Sequence, residues 1–189
     1  WMRPPTIAEL RRLESVAGPI RMITLAPELP SAFGAMQWCR RNGIAVSLGH
    51  SDADARTAGL AADAGARLIT HIFNGMRPFH HRDPGLLGAA LLDRRVMAMA
   101  ILDGVHIGKA AFELLLRCKG PQGVILVTDS IRDQKPRPKA ALRAGAFRTA
   151  RGVLAGSALT MIEAVRNAVK FAKISLSDAV QMDSLNPAR

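Results

Sequence analysis

The sequence predicts a parallel α/β fold, and three observations carry that prediction. Five short apolar runs recur along the chain, each run is nearly continuous in its hydrophobicity, and helical stretches separate them. Continuous apolar runs suit parallel strands buried on both faces, whereas half-solvated antiparallel strands alternate. The interval from one run to the next holds one strand and one helix, which is the repeat of a βα unit.

Taken in order, the first expected strand is Arg21–Ala26 (RMITLA), followed by a helix over Ser31–Asn42. The second strand, Ile44–Gly49 (IAVSLG), leads into a helix over Asp52–Ala64. The third, Arg67–Phe73 (RLITHIF), precedes a helix over Leu86–Asp93. The fourth, Val96–Leu102 (VMAMAIL), precedes one over Lys109–Lys119, and Gly123–Thr128 (GVILVT) is the fifth. Ser31 and Ser51 or Asp52 stand where N-caps belong, and Gly43, Gly65 and Gly120 where helices stop. Two further helices, Ala158–Ala172 and Ser177–Leu185, close the chain. Before them lies a basic stretch, 131–151, with seven basic residues, two prolines and Asp133 as its one acid. That composition predicts a solvated, irregular loop.

Composition narrows the function classes. With 189 residues, 49% of them hydrophobic, the chain can bury a core and falls outside the low-hydrophobicity disordered class. Two cysteines, Cys39 and Cys118, are too few for a disulfide scaffold, and both fall on helical segments as structural thiols. No apolar run reaches the ~20 residues of a membrane helix, and no charged-then-apolar leader opens the chain. A soluble, cytoplasmic protein with no membrane partner is therefore expected. The formal charge of +11 points to an anionic partner. Arg outnumbers Lys among the basic residues, and its planar fork suits phosphate better than a Lys point charge does. Nucleic acid ranks low as that partner, because Phe and Trp are few and Tyr is absent, leaving little surface for base stacking.

In parallel βα folds the working residues sit at the carboxyl ends of the strands. Here those ends carry Glu28, then His50, then His71 with Asn74 and Gly75, then Asp103 and His106, then Asp129. Two imidazoles among carboxylates suit a divalent metal, which lowers the pKa of a bound water. Asp129 is the candidate to take that water's proton and return it to a leaving group. Each residue has a plainer reading. His50 and His71, taken singly, could be satisfied polar residues; Glu28 could be a ligand or a structural carboxylate. His106 could contact substrate or shape its own loop by a hydrogen bond, and His80 and His81 are expected in solvent.

The strings TLAPE (24–28), VSLGHSDA (46–53), THIFNGM (70–76), RDPGLLGAAL (82–91), DGVHI (103–107), LVTDS (126–130) and LAGSALTMIEAVRN (154–167) resemble, in the same order, the N-acetylglucosamine-6-phosphate deacetylases. These are metal-dependent amidohydrolases on a TIM-type (β/α)8 barrel. The resemblance implies one partial barrel over 1–189, comprising about five βα units equivalent to strands four to eight. It also implies an insertion loop at 131–151, whereas the small flanking β-domain of these enzymes is not expected in this sequence. A whole barrel takes about 250 residues, so an open parallel edge, an association hazard, is expected.

Carried over by position, His50 and His71 match the two metal-binding histidines, and Asp129 matches the carboxylate that activates water. Asn74 and Gly75 match positions whose backbone contacts the sugar, and Asp103, Gly104, Val105 and His106 match a substrate-binding segment. Arg82 matches an arginine that reaches the sugar phosphate in the neighbouring subunit of a homodimer. Leu154, Ala155 and Gly156 match a strip near the acetyl end. The implied reaction is hydrolysis of N-acetylglucosamine 6-phosphate to glucosamine 6-phosphate and acetate. It would use one divalent metal, zinc by default, with iron or another divalent ion compatible with the same ligands. Two family strings are not in the sequence: a His-Leu-Glu-Gly-Pro-like string bearing a third ligand, and a Gly-Ala-His-like string bearing a carbonyl-polarising histidine. Glu28 lies in the separate TLAPE string, where a structural role is expected. The alternatives are a deacetylase of the galactosamine epimer, another amidohydrolase, or a non-catalytic fragment binding sugar phosphate or polyanions.

Overall fold

The computed structural model describes residues 3–131, 141–143, 146–149 and 152–188. The chain divides into two compact units, Trp1–Ala98 and Met99–Arg189. The first unit runs α1 (Ile7–Ala17), β1 (Met22–Leu25), α2 (Ala32–Arg41), β2 (Ala45–Leu48), α3 (Ala55–Ala64), β3 (Leu68–Ile69), α4 (Gly85–Leu92) and the start of β4 (Met97–Ile101). Pairing is parallel throughout, from Met22↔Ala45 to Leu25↔Leu48, then Leu48↔Ile69, then Ile69↔Ala98. Leu25, Leu48, Ile69 and Ala98 thus form one buried row across four strands. Leu48 and Ile69 meet Ala58 and Ala62 of α3 and Leu86 and Ala90 of α4. Small residues on α3 let the helices lie close, and α4 (GLLGAALL), with six of its eight residues buried, is apolar on every side as an enclosed helix should be.

Several element boundaries differ from the sequence expectation, for identifiable reasons. Helix α3 begins at Ala55, capped by Asp54, whose carboxylate accepts the Thr57 N–H at 2.7 Å. The expected caps Ser51 and Asp52 are instead engaged by Glu28. The contacts from Thr57 hold the Asp54 carboxyl below its ordinary value, so the cap is complete at neutral pH and is lost as pH falls through that lowered value. Ser31 does occupy the N-cap position of α2, but its φ is 70° and its hydroxyl makes no capping bond. Strand β3 has two residues rather than seven, because His71 and Phe73 take positive φ and end the ladder. The first helix, α1, has no counterpart in the sequence reading. Its Arg- and Glu-rich stretch buries only Leu10, too little to write an apolar stripe.

The second unit contains the rest of β4, α5 (Lys109–Lys119), a 3-10 turn at Pro121–Gly123, β5 (Val124–Val127), β6 (Ala141–Arg143), β7 (Ala146–Arg148), β8 (Leu154–Ser157), α6 (Met161–Ala172) and α7 (Leu176–Val180). A π-helical turn, Gln181–Leu185, follows. Strands β4 and β5 are neighbours in the strand order β1-β2-β3-β4-β5. Strands β6, β7 and β8 form a separate antiparallel sheet, with Leu142↔Phe147 and Ala146↔Ser157 in register. The expected irregular loop over 131–151 is therefore partly strand. Residues 132–140, 144–145 and 150–151 of that basic stretch lie outside the described residues. Three-residue strands carrying Arg leave no apolar run for sequence reading to find. Helix α6 starts at Met161, not Ala158, because Thr160 and Glu163 form a reciprocal capping box. The Asn186 carboxamide donates to the carbonyls of Pro121 and Val124 at 2.8 and 2.6 Å, tying the last turn to the start of β5. Of the two cysteines, Cys39 is buried, which pushes its thiol pKa up, while Cys118 is half-buried. Among the described residues no helix is long and apolar enough to cross a membrane.

Phe112 of α5 is fully enclosed, whereas Val16 of α1 is 79% exposed. Phe112→Ala is expected to cost about 3–5 kcal/mol in denaturant unfolding, and Val16→Ala less than about 0.5 kcal/mol.

Candidate active site

The ends of β1, β2 and β3 meet in the first unit. His50 follows β2 with φ 49°, and His71 follows β3 with φ 29°. Their Nε2 atoms stand 2.9 Å apart, with ring centroids at 4.6 Å and planes at 84°. His71 Nδ1 lies 3.0 Å from the Asn74 carbonyl oxygen, which can only accept, so Nδ1 carries the proton and donates. With both rings neutral, His71 Nε2 is then the acceptor of this contact and His50 Nε2–H its donor.

A divalent ion fits this pair with a small adjustment. Zinc–nitrogen bonds of about 2.0–2.1 Å place two tetrahedral nitrogens about 3.3 Å apart, a few tenths of an ångström wider than the observed separation. His50 would also move its proton to Nδ1. The His71 Nδ1–H bond to a carbonyl is the supporting contact that fixes a metal-binding tautomer. Among the described residues no group of three or more His, Cys, Asp or Glu stands ready to hold a metal. The histidines supply two of the three protein ligands that a catalytic zinc takes.

Glu28, at the end of β1, resolves to the structural reading. Its Oε2 accepts the Ser51 hydroxyl at 2.7 Å and its Oε1 accepts the Asp52 N–H at 2.6 Å. The Ser51 N–H in turn donates to the Gly75 carbonyl at 3.0 Å. Gly75 is confined twice over: its φ is 59°, and a Cβ there would lie 3.1 Å from His50 Nδ1 and 3.3 Å from His71 Cε1. The carbonyls of Asn74 and Gly75 thus already hold the site's own groups. Beyond them Arg77 pairs with Asp52 at 2.9 Å and with Asp83. This pinning of the 77–83 loop was not legible in the sequence. The Arg77 guanidinium keeps the Asp52 carboxyl below its usual range. Arg82 is exposed on the same loop, its Nη1 3.1 Å from His81 Nε2. Among the described residues no carboxylate pairs with it. His80 and His81 stack at 4.4 Å in solvent, as expected.

The second unit holds the remaining candidates. Asp129 follows β5 with φ 48°, and its carbonyl accepts the Ser157 N–H at 3.0 Å. The buried Ser157 hydroxyl donates to the Thr128 carbonyl. Leu154, Ala155 and Gly156 belong to β8. Gly156, at φ 104°, leaves room for Asp129, since a Cβ there would lie 3.1 Å from the Asp129 carbonyl oxygen. Asp103 Oδ1 accepts the N–H groups of Val105 and His106 at 2.8 and 2.7 Å, and its Oδ2 meets His106 Nδ1 at 2.6 Å. These two side chains are 4% and 3% exposed. The hydrogen bond that shapes its own loop is therefore present at His106, with Gly104 at the turn. Asn167 of α6 donates to the Leu102 carbonyl at 2.8 Å and anchors that loop. Ser157 and Asn167 escaped sequence reading; the one signal of Ser157 is a polar residue between apolar neighbours, and Asn167, beside Arg166, has none.

Six described non-glycine residues have positive φ, and His50, His71 and Asp129 are three of them. Left-handed backbone disfavours L-residues, and such strain collects at functional sites. Gly75→Ala is expected to cost about 1–2 kcal/mol for its left-handed backbone and to shift the imidazole resonances of His50 and His71 in NMR spectra.

No family model matches the chain. Curated relatives do, and two of them are each 38% identical. The N-acetylglucosamine-6-phosphate deacetylase of Lysinibacillus sphaericus is covered over 50% of its length by 98% of this chain. The N-acetylgalactosamine-6-phosphate deacetylase of Escherichia coli O157:H7 is covered over 51% by 97% of this chain. Among solved structures, a mutant N-acetyl-D-glucosamine-6-phosphate deacetylase from Mycobacterium smegmatis, in complex with N-acetyl-D-glucosamine-6-phosphate, superposes with TM-score 0.91 at 34% identity. That match takes in 100% of this chain and 53% of the other. The corresponding enzyme from Thermotoga maritima gives TM-score 0.88 at 34% identity, over 98% of this chain and 52% of the other. The chain spans about half the length of the curated relatives it matches. Its parallel βα architecture, its strand-end histidines and these likenesses together make the chain similar, over nearly its whole length, to about half of an N-acetylglucosamine-6-phosphate deacetylase.

Proposed function

We propose that the chain carries catalytic machinery for hydrolytic removal of acetate from N-acetylglucosamine 6-phosphate. The observation that supports this most is the His50–His71 pair, with its Nε2 atoms 2.9 Å apart and the His71 tautomer set by the Asn74 carbonyl. His50 and His71 would hold a divalent ion, zinc by default, which when bound would acidify water and polarise the amide carbonyl. Asp129 takes a proton from the attacking water and delivers it to the departing amine, as a general base and then a general acid. The amide C–N bond breaks, a C–O bond to the water oxygen forms, and acetate and glucosamine 6-phosphate leave.

Arg82 binds the 6-phosphate through charge-assisted bonds, in the neighbouring subunit of a homodimer. The backbone at Asn74 and Gly75 and the segment Asp103–His106 orient the sugar, and Leu154–Gly156 border the acetyl group. A cytoplasmic location suits a phosphorylated sugar and two free cysteines. The galactosamine epimer is the second reading, favoured by the 38% identity to a deacetylase of that name.

Acetate release from the two N-acetylated 6-phosphates, with added zinc, tests both readings. Faster turnover of the glucosamine substrate is expected. Asp129→Asn should lower kcat by about 10²–10⁴-fold with KM little changed, while Arg82→Ala should raise KM and leave kcat. Release of acetate from neither substrate would overturn the proposal. Anion binding that collapses between low and moderate salt would point instead to a polyanion binder.

A further inference from the structure

We infer that Glu28 is a positioning residue for the His50–His71 pair, acting through Ser51 and Asp52; the inference rests on reading that pair as the metal-binding one. At β1's carboxyl end the Glu28 side chain grips the loop after β2. Both of its oxygens are used, one by the Ser51 hydroxyl at 2.7 Å and one by the Asp52 N–H at 2.6 Å. Those are the two residues directly after His50, whose φ of 49° needs the following chain to be held. The Ser51 hydroxyl also accepts the Ala53 N–H at 3.1 Å, so its single proton is committed to Glu28.

The same grip reaches His71. Ser51 N–H donates to the Gly75 carbonyl, and Ser51 bridges to Met76. Gly75 lies against both imidazoles, and the neighbouring Asn74 carbonyl fixes the His71 tautomer. One carboxylate therefore sets the backbone under one histidine and, through Ser51, the loop that orients the other. The chemistry demands Glu. Two donors require two acceptor oxygens, whereas Gln would turn an NH2 toward one of them, and Asp is one methylene short.

The test compares wild-type chain, Glu28→Gln, Ser51→Ala and the double variant by two readouts, with thermal unfolding measured alongside. In metal-free protein, nitrogen-15 NMR of the imidazoles reports the tautomers. Wild type should show His71 protonated at Nδ1, and each variant should show mixed tautomers at His71 and a shifted His50. In a cobalt(II) titration followed by visible absorption, affinity should fall about 10–100-fold in Glu28→Gln. The double variant should be no weaker than the worse single one, since both changes break one connection. Folded variants with wild-type imidazole spectra and wild-type cobalt affinity would overturn the inference, even with lowered stability. If wild type takes up no cobalt, the metal reading of the pair fails and the imidazole spectra alone decide the role of Glu28. If Glu28→Gln does not fold, Ser51→Ala, which keeps Glu28, is judged by the same two readouts.

Discussion

Parallel strands end at a price in backbone geometry, and the hydrogen bonds that hold left-handed residues at those ends organise the rest of this molecule. A chain leaving a strand must turn sharply toward the next helix, and at His50, His71 and Asp129 it does so with positive φ. Each of these turns has its own external hold. Residues after His50 are held by Glu28, the His71 ring by the Asn74 carbonyl, and Asp129 by the backbone of Ser157. Without such holds the ordinary preference of L-residues would relax each turn, and the side chains that define the site would point elsewhere.

The cores allow this strain. In the first unit the buried row Leu25, Leu48, Ile69 and Ala98 sits under alanine-rich helix faces, so packing fixes the strands independently of the turns at their ends. In the second unit Phe112 and Leu115 of α5 are enclosed, and Asn186 fastens the final turn to β5. Burial of apolar surface stabilises the scaffold in a non-directional way; the directional hydrogen bonds at the strand ends then choose among rotamers and tautomers. Polarity follows the same division. Ser47 and Thr70 share a hydroxyl bond at 2.6 Å on the face opposite the apolar row, and Thr24 joins Thr70 at 2.8 Å.

Much of the candidate site was legible because its residue types are few and fall at strand ends. His50, His71 and Asp129 could be named from the rhythm of apolar runs alone, and the family strings added Arg82 and the segment Asp103–His106. What the sequence hid is the supporting layer. Ser51 and Asp52 look like helix caps, and only the carboxylate of Glu28, more than twenty residues earlier, shows why Asp54 caps α3 instead. Ser157 and Asn167 look like ordinary polar residues until their partners, the carbonyls of Thr128 and Leu102, are seen. Strands β6 and β7 were hidden for a different reason: three Arg-bearing residues apiece carry no periodicity above background.

The sequence by itself determined the βα order, the positions of five strands and the candidate residues at their ends, because apolar runs and side-chain types are local properties of the chain. The tertiary structure alone decided that Glu28 bonds Ser51 and Asp52, that His106 bonds Asp103, that the basic stretch contains strand, and which histidine nitrogen faces which. Those outcomes depend on hydrogen bonds between residues distant in sequence or on directions within a loop, and neither is written in composition or spacing.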